Sequence, residues 1–121
     1  MSPAALRRRC LAFSGAVEAA PFSEGLSVFK VAGKIFAICP LGEKPLRLSL
    51  KCEPELAEQL RAAYPAITPG YHLNKRHWNT VTIDGSVPDR IVGDMLEDSY
   101  DLVVAGLSKR KQRELGWDRE S

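Results

Sequence analysis

The sequence predicts an α+β fold, a two-layer sandwich in which helices cover one face of an antiparallel sheet. The first observation is the order of the periodicities, which reads helix, three strands, helix, strand and helices. The second is a hairpin signal in residues 27–39, where Ala32 and Gly33 join two apolar runs. The third is a long helical pattern after Ser86. The 121 residues fit a single domain, with an ordered core over about residues 3–115.

The first helix and the hairpin follow from simple spacing. Pro3 opens a helical pattern that includes Leu6 and stops before Gly15. In the hairpin, a two-residue turn would place Phe29 opposite Phe36 on the neighbouring strand.

The middle of the chain predicts a third strand, a second helix and a fourth strand. Residues 46–51 alternate between apolar and polar side chains, as a half-buried strand does. A helix opens near Pro54, where proline costs no hydrogen bond, and closes before Pro65. Residues 65–71 are rich in turn formers, and residues 78–84 alternate again as a strand.

A long helix is predicted after Ser86, whose hydroxyl resembles the start of a capping box, with Asp89 favouring the helix dipole. The pattern allows a break near Ser99. Its expected buried face consists of Ile91, Val92, Met95, Leu96, Leu102 and Val103.

Composition excludes several classes of protein. No apolar run approaches the roughly 20 residues of a membrane span, and the start lacks the features of a signal peptide. The three cysteines, at unrelated spacings, argue against a disulfide framework and against a Cys-x-x-Cys site. We therefore expect a cytoplasmic protein with reduced thiols, without a metal or other cofactor and without a membrane partner.

The charges are unevenly distributed, although the net charge is only +2. Residues 84–101 hold six acidic side chains and a single cation, Arg90. The cations gather elsewhere, at Arg7, Arg8, Arg9, Lys75, Arg76, Lys109, Arg110, Lys111 and Arg113.

One short segment combines the side chains that nucleic acids require. Lys75 and Arg76 can neutralise phosphates, and each neutralised phosphate releases counterions. Asn74 and Asn79 can pair with a base edge or a phosphate, and Trp78 can stack on a base. The predicted DNA-contacting residues of this segment are Asn74, Lys75, Arg76, His77, Trp78 and Asn79.

A purely structural interpretation stays open for the same residues. Trp78 would then be a ring packed under a helix, with Lys75 and Arg76 as solvated charges on a strand edge. His72 and His77 are the only plausible general bases, but no nucleophile or acid completes a catalytic or metal-binding motif. We therefore expect no enzymatic activity.

The last helix carries a second basic run. If Ser108 caps it, then Lys109, Arg110 and Lys111 occupy the first turn, where cations oppose the dipole. Such a placement favours a partner for these charges, which makes all three predicted DNA contacts. A frayed, solvated terminus explains them equally well.

The chain resembles the MmcQ/YjbR family over most of its length. The resemblance is carried by GYHLNKRHWNTVTIDGSVPD at 70–89, by DSYDLVVAGLSKRKQREL at 98–115 and by VFKVAGKIFAI at 28–38. It implies a frataxin-like (CyaY-like) α/β sandwich and a role in DNA binding through a double-wing surface. Ser108, where a proline is expected, and Gly106 depart from the family pattern.

Three functions are compatible with these observations. The first is a small monomeric DNA-binding protein that uses residues 74–79 and the run 109–113. The second is an adaptor that presents the same surface to an acidic protein. The third, implied by a frataxin-like fold, is binding of a hard metal on an acidic helix through Asp94, Glu97, Asp98 and Asp101, although the first helix is basic here.

Overall fold

The computed structural model describes residues 1–19, 26–70 and 73–117 of the chain. In chain order the elements are α1 (Pro3–Leu11), β1 (Ala16–Ala19), β2 (Leu26–Val31), β3 (Lys34–Pro40), β4 (Arg47–Lys51), α2 (Pro54–Ala63), β5 (Ile67–Pro69), β6 (Trp78–Thr82), α3 (Asp89–Ala105) and α4 (Lys109–Glu114).

The six strands form one antiparallel sheet in the order β1-β2-β3-β4-β6-β5. The helices α1, α2 and α3 pack on it, with α3 across β2, β3 and β4. The predicted α+β class with a two-layer arrangement is therefore confirmed. Sequence patterns missed β1 and β5, which are the edge strands. Each is too short to show a clear alternation, and Pro69 in β5 is tolerated because an edge strand need not donate every N–H.

The β2–β3 hairpin has the predicted two-residue turn. Ala32 and Gly33 both have positive φ, 50° and 78°, as the hairpin turn that matches strand twist requires. The predicted pairing of Phe29 with Phe36 is wrong, because a bulge in the ladder pairs Phe29 with Ala37 instead. The extra residue turns the Phe36 ring toward α3, where its centroid lies 5.5 Å from that of Tyr100.

The helix α3 is continuous, so the break that the pattern allowed near Ser99 does not occur. Ser99 is fully buried and hydrogen-bonded to the sheet, which is why a polar residue lies on the apolar side of this helix. Leu102, predicted to be buried, is 37% exposed. The buried face instead consists of Val92, Met95, Leu96, Ser99, Tyr100, Val103 and Val104.

The predicted capping box at Ser86 is also wrong. The backbone N–H and the hydroxyl of Ser86 both donate to Asp84 Oδ1, at 2.9 and 2.6 Å, in an Asx turn. These bonds lower the pKa of Asp84. The helix starts three residues later, and Asp89 is its first residue, where its charge suits the dipole as expected.

The core lies between the sheet and the three larger helices, and it contains Leu6 of α1, Phe29 of β2 and Leu96 of α3. All three cysteines are free and buried, as the sequence predicted. Burial raises the pKa of Cys10 and of Cys39 to about 12 and that of Cys52 to about 11. In the described part of the chain, no helix combines the length and apolar character needed to cross a bilayer.

Candidate nucleic-acid interface

The segment that carries Lys75, Arg76 and His77 is a tight turn in front of β6, which begins at Trp78 as predicted. Asn74 forms this turn. Its side-chain Oδ1 accepts from the backbone N–H of Arg76 at 2.9 Å and of His77 at 3.2 Å, and its carbonyl accepts from Trp78 N at 3.0 Å. The oxygen that was expected to pair with a base therefore shapes the backbone.

The turn is anchored to its surroundings from three sides. Arg61 of α2 donates from its guanidinium to the Lys75 carbonyl at 3.0 Å. Lys75 Nζ lies 3.3 Å from the Gly70 carbonyl, and Cys52 N donates to the His77 carbonyl at 2.7 Å. The exposed side chains of Arg76 and His77 thus extend from a fixed backbone. Sequence patterns gave no sign of Arg61, because its role depends on a contact between α2 and the turn.

Trp78 is the first residue of β6 and is half-buried. Its neighbour Asn79 pairs with the core residue Leu50, so alternation points Trp78 to the face away from the helices. The interpretation of Trp78 as a ring under a helix is therefore wrong. Trp78 shares this face with Thr80 and Thr82.

Asn79 faces the interior and has no exposed surface. Its Nδ2 donates to the Ala57 carbonyl of α2 at 3.3 Å, whereas its Oδ1 has no hydrogen-bond partner among the described residues. A side chain without accessible surface cannot contact a base or a phosphate. Asn79 is therefore removed from the predicted contacts, and its role is to hold α2 against β6.

The helix α4 begins as predicted, with the Ser108 hydroxyl accepting from Lys111 N at 3.2 Å. Lys109, Arg110 and Lys111 are exposed in its first turn, which holds no acidic residue. Gln112 is buried, and its Nε2 donates to the Val104 carbonyl of α3 at 3.1 Å and to two neighbouring carbonyls. The helix is therefore docked on the end of α3 and is not frayed, while its first-turn cations remain exposed to solvent, with Arg110 Nε 3.7 Å from Glu114 Oε2.

The strand registers bring the turn and the β2–β3 hairpin to one end of the sheet. Trp78, where β6 begins, pairs with Lys51, where β4 ends. Because β3 runs antiparallel to β4, the start of β3 at Lys34 lies at this same end. Lys34 and Lys51 were not predicted, although each stands at the boundary of an expected strand.

The helix α4 lies at this same end of the sheet, near the edge strand β1. The Ser14 hydroxyl donates to the Leu115 carbonyl at 2.7 Å, and Ser14 lies two residues before β1, whose first residue pairs with the last residue of β2. We call this region the basic end. Its exposed or half-buried cations are Lys34, Lys51, Lys75, Arg76, Lys109, Arg110, Lys111 and Arg113.

Acidic side chains lie in the helix layer beside the basic end. Glu53, Asp98 and Asp101 line a cavity of about 180 Å³ between α2 and α3, together with Leu56 and Leu102. The pKa of Asp98 is raised, first by desolvation and then by the charges of Asp101, Asp94 and Glu97. Within residues 1–19, 26–70 and 73–117, no three His, Cys, Asp or Glu side chains are grouped so that they could hold a metal ion. His72 lies outside the described residues.

Comparison with known proteins gives a consistent result. A family model described as YjbR matches residues 11–102. The uncharacterized protein YjbR of Escherichia coli K12 is 36% identical over 113 residues, covering 93% of this chain and 96% of that protein. The uncharacterized protein YbdF of Escherichia coli O157:H7 is 38% identical over 93 residues, covering 77% of this chain and 76% of that protein.

Two solved structures are similar in fold. The crystal structure of the Deinococcus radiodurans protein DR2400, of the domain family DUF419, superposes with a TM-score of 0.91 at 42% identity, covering 99% of this chain and 91% of that one. The crystal structure of a Pseudomonas syringae protein gives a TM-score of 0.73 at 25% identity, covering 84% of this chain and 98% of that one.

Proposed function

The chain belongs to the YjbR family, and we propose that it is a small DNA-binding protein that holds DNA phosphates against the basic end. The single observation that carries this proposal is the convergence of three separate basic segments, from the turn before β6, the β2–β3 hairpin and α4, at one end of the sheet.

The geometry of the basic end suits a duplex. The turn adjoins β6 and α4 adjoins β1, four strands apart, which corresponds to about 19 Å at about 4.8 Å per strand. This span exceeds the width of a major groove, about 12 Å, so the two segments can contact phosphates on both sides of it. The hairpin between them brings Lys34 to the middle of the span.

The rigid support of the turn also favours binding. Its backbone is already fixed by Asn74, Arg61 and Cys52 N in the free protein, so little backbone entropy is lost when Arg76 contacts a phosphate. The exposed cations in the first turn of α4 oppose the helix dipole. An anionic partner would remove that repulsion.

The test is a fluorescence anisotropy titration of a labelled duplex with the protein at low and at moderate salt. We expect saturable binding whose logarithmic affinity falls linearly with the logarithm of salt concentration, with a slope of about −0.9 for each neutralised phosphate. Absence of saturable binding at low salt would refute the proposal.

A second candidate partner is an acidic protein on the same basic end, since a cationic surface attracts any anion. Salt weakens both kinds of complex, so the distinction rests on competition. A DNA duplex that displaces a bound acidic partner at stoichiometric amounts favours the nucleic acid, and failure to displace it favours the protein.

Our proposal is a binding role without catalysis, in the cytoplasm. Supporting it, the buried thiols of Cys10, Cys39 and Cys52 stay protonated and unreactive near neutral pH. Three free cysteines also suit a reducing compartment.

A further inference from the structure

The face of the sheet away from α1, α2 and α3 is not covered by any helix of the described chain. In β4, Leu48 and Leu50 belong to the core, so the alternate residues Arg47, Ser49 and Lys51 lie on the other side. The same alternation places Lys30 of β2 there. We call this side the open face, and Lys30, Ile38, Arg47, Lys51 and Trp78 lie on it.

Charge is segregated between the two sides of the sheet. The open face carries three cations, Lys30, Arg47 and Lys51, which are exposed or half-buried. The one acidic residue in the described strands, Glu18, pairs with the core residue Phe29 and thus belongs to the helix side. There it accepts from Ser27 Oγ at 2.6 Å and also binds Arg7 of α1. The open face is therefore positively charged without a compensating acid on its described strands.

Between the cations the open face is apolar or hydroxylated. Ser49 Oγ and Thr80 Oγ1 are 2.8 Å apart at its centre, where both residues are buried. Ile38 and Trp78 are half-buried, and Lys51 is the direct cross-strand neighbour of Trp78. The face thus offers an aromatic ring with a cation beside it, which is the pair that a base and its phosphate require.

We propose that the open face binds single-stranded nucleic acid, with a base stacked on Trp78 and the backbone passing Lys51, Arg47 and Lys30. This inference rests on the proposed function, because the strand would continue from the basic end at Lys51. In a duplex the bases are stacked inside the double helix, so they cannot stack on an aromatic ring of a sheet. An unpaired base can cover it, as it does on other sheet platforms.

The spacing of the cations suits a backbone that crosses the face. Lys51 and Arg47 are four residues apart on β4, which is about 13 Å along the strand. Lys30 lies two strands away, at about 10 Å across the sheet. The three cations are therefore too far apart to contact a single phosphate, and an extended backbone would contact them at different phosphates.

The experiment titrates two labelled probes, an oligothymidylate of about 12 nucleotides, within the usual site size, and a duplex of the same length. We expect Arg47→Gln and Lys30→Gln each to weaken binding of the single strand about 3- to 10-fold in low salt and to change duplex affinity less than about twofold. Arg90→Gln, which removes an exposed cation from the start of α3, is the matched control and should change neither affinity.

A second readout reports the ring itself. The chain has two tryptophans, so in a Trp117→Phe variant the fluorescence comes from Trp78 alone. We expect the oligothymidylate to quench it on binding, and Trp78→Leu to weaken the single-strand complex by roughly 5- to 150-fold. An oligouridylate measured beside it distinguishes RNA from DNA as the source of the single strand.

The outcomes separate the two proposals. If Arg47→Gln and Lys30→Gln both leave single-strand affinity unchanged, the proposal that the open face binds a single strand is wrong. The proposal that the basic end binds a duplex is still supported if Arg76→Ala weakens duplex binding. If the protein binds a single strand but no duplex, and Arg76→Ala does not weaken the single-strand complex, the proposal for the basic end is wrong and the proposal for the open face is retained. Polyglutamate that displaces the oligothymidylate at equal charge and quenches Trp78 equally would assign the face to an acidic protein, against our inference.

Discussion

Ser99 donates a hydrogen bond of 2.6 Å from its hydroxyl to the carbonyl of Phe36, although the two residues are 63 positions apart in the chain. The same hydroxyl accepts from the backbone N–H of Lys51 at 2.9 Å. The direct ladder between β3 and β4 pairs Ala37 with Leu50 and Ile38 with Ser49, so Ser99 bridges the two strands just beyond it. This side chain of α3 therefore links β3 and β4 at the basic end.

We predict that Ser99→Ala destabilises the fold by about 1–3 kcal/mol, because a buried carbonyl and a strand N–H both lose their partner. The measurement is a denaturant titration of the variant beside the parent protein. Ser86→Ala is the control, because it removes a hydroxyl hydrogen bond that is exposed to solvent, and it should cost less than Ser99→Ala. A Ser99→Ala protein as stable as this control would mean that water replaces the hydroxyl at no cost.

The fold class was predictable because it depends on periodicities that local sequence carries. The hairpin signal gave β2 and β3, alternation gave β4 and β6, and the helical pattern after Ser86 gave most of α3. The errors at Phe36 and Ser99 have one physical origin. The bulge at Phe36 lies in the pairing with β2, and Ser99 is buried because its hydroxyl donates to Phe36 of β3. Both are relationships between different elements, which no local pattern contains.

The candidate site was predictable only in part, for the same reason. The segment that contains Lys75, Arg76 and Trp78 has an unusual composition, and these three side chains are exposed or half-buried in the structure. Asn79 has the same polarity in the sequence as Asn74 but has no exposed surface, because the face that a strand residue occupies depends on its register against β4. Lys34 and Lys51 were assigned to the basic end only from the registers of the paired strands.

We predict that folding needs neither a metal nor a disulfide. The three cysteines are free, and no metal-binding group occurs in the part of the chain that the structure describes. Thermal unfolding in the presence of a chelator and a reductant should show the same midpoint and the same cooperativity as unfolding without them. A midpoint lowered by the chelator alone would revive the metal hypothesis.

Asp98 should make stability depend on pH. Its pKa in the folded protein is raised above the ordinary value of 3.8, so the folded state holds this proton more tightly than the unfolded state. Stability therefore falls as pH rises from about 3.8 through the folded pKa, and it stays lower above it. We predict that Asp98→Asn is more stable than the parent at pH 7 and that the difference vanishes in acid. Glu58→Gln, an exposed single-charge change on α2, is the control for net charge in these pH-dependent unfolding curves.

Arg76→Ala should weaken binding of a duplex and leave folding intact. Its side chain is exposed on a turn whose backbone is held by other residues, so the free energy of unfolding should change by less than about 0.5 kcal/mol. If Arg76 contacts one phosphate, the slope of log affinity against log salt becomes shallower by about 0.9. Arg90→Ala, at the opposite end of the sheet, should keep the parent slope. Equal slopes for the parent and Arg76→Ala would exclude Arg76 from the interface.

Trp78→Ala distinguishes a ring that binds a partner from a ring that only packs. Trp78 is half-buried on the open face, so its truncation should cost less than the about 3–5 kcal/mol typical of a fully buried aromatic residue. Gly70 packs closely on Trp78 Cβ, since a Cβ at Gly70 would lie 2.7 Å from it, and the alanine variant keeps this Cβ. If the ring stacks on a base, the variant loses about 1–3 kcal/mol of affinity for a single strand.

The two quantities must be measured on one preparation, by denaturant titration and by anisotropy with the oligothymidylate. Trp117→Ala is the matched control, because Trp117 packs against the core and donates to Asp101 Oδ1 at 2.9 Å. It should lower stability without a specific loss of affinity. A Trp78→Ala protein with a large loss of stability, whose folded fraction binds the single strand as tightly as the parent, would show that Trp78 serves the fold alone.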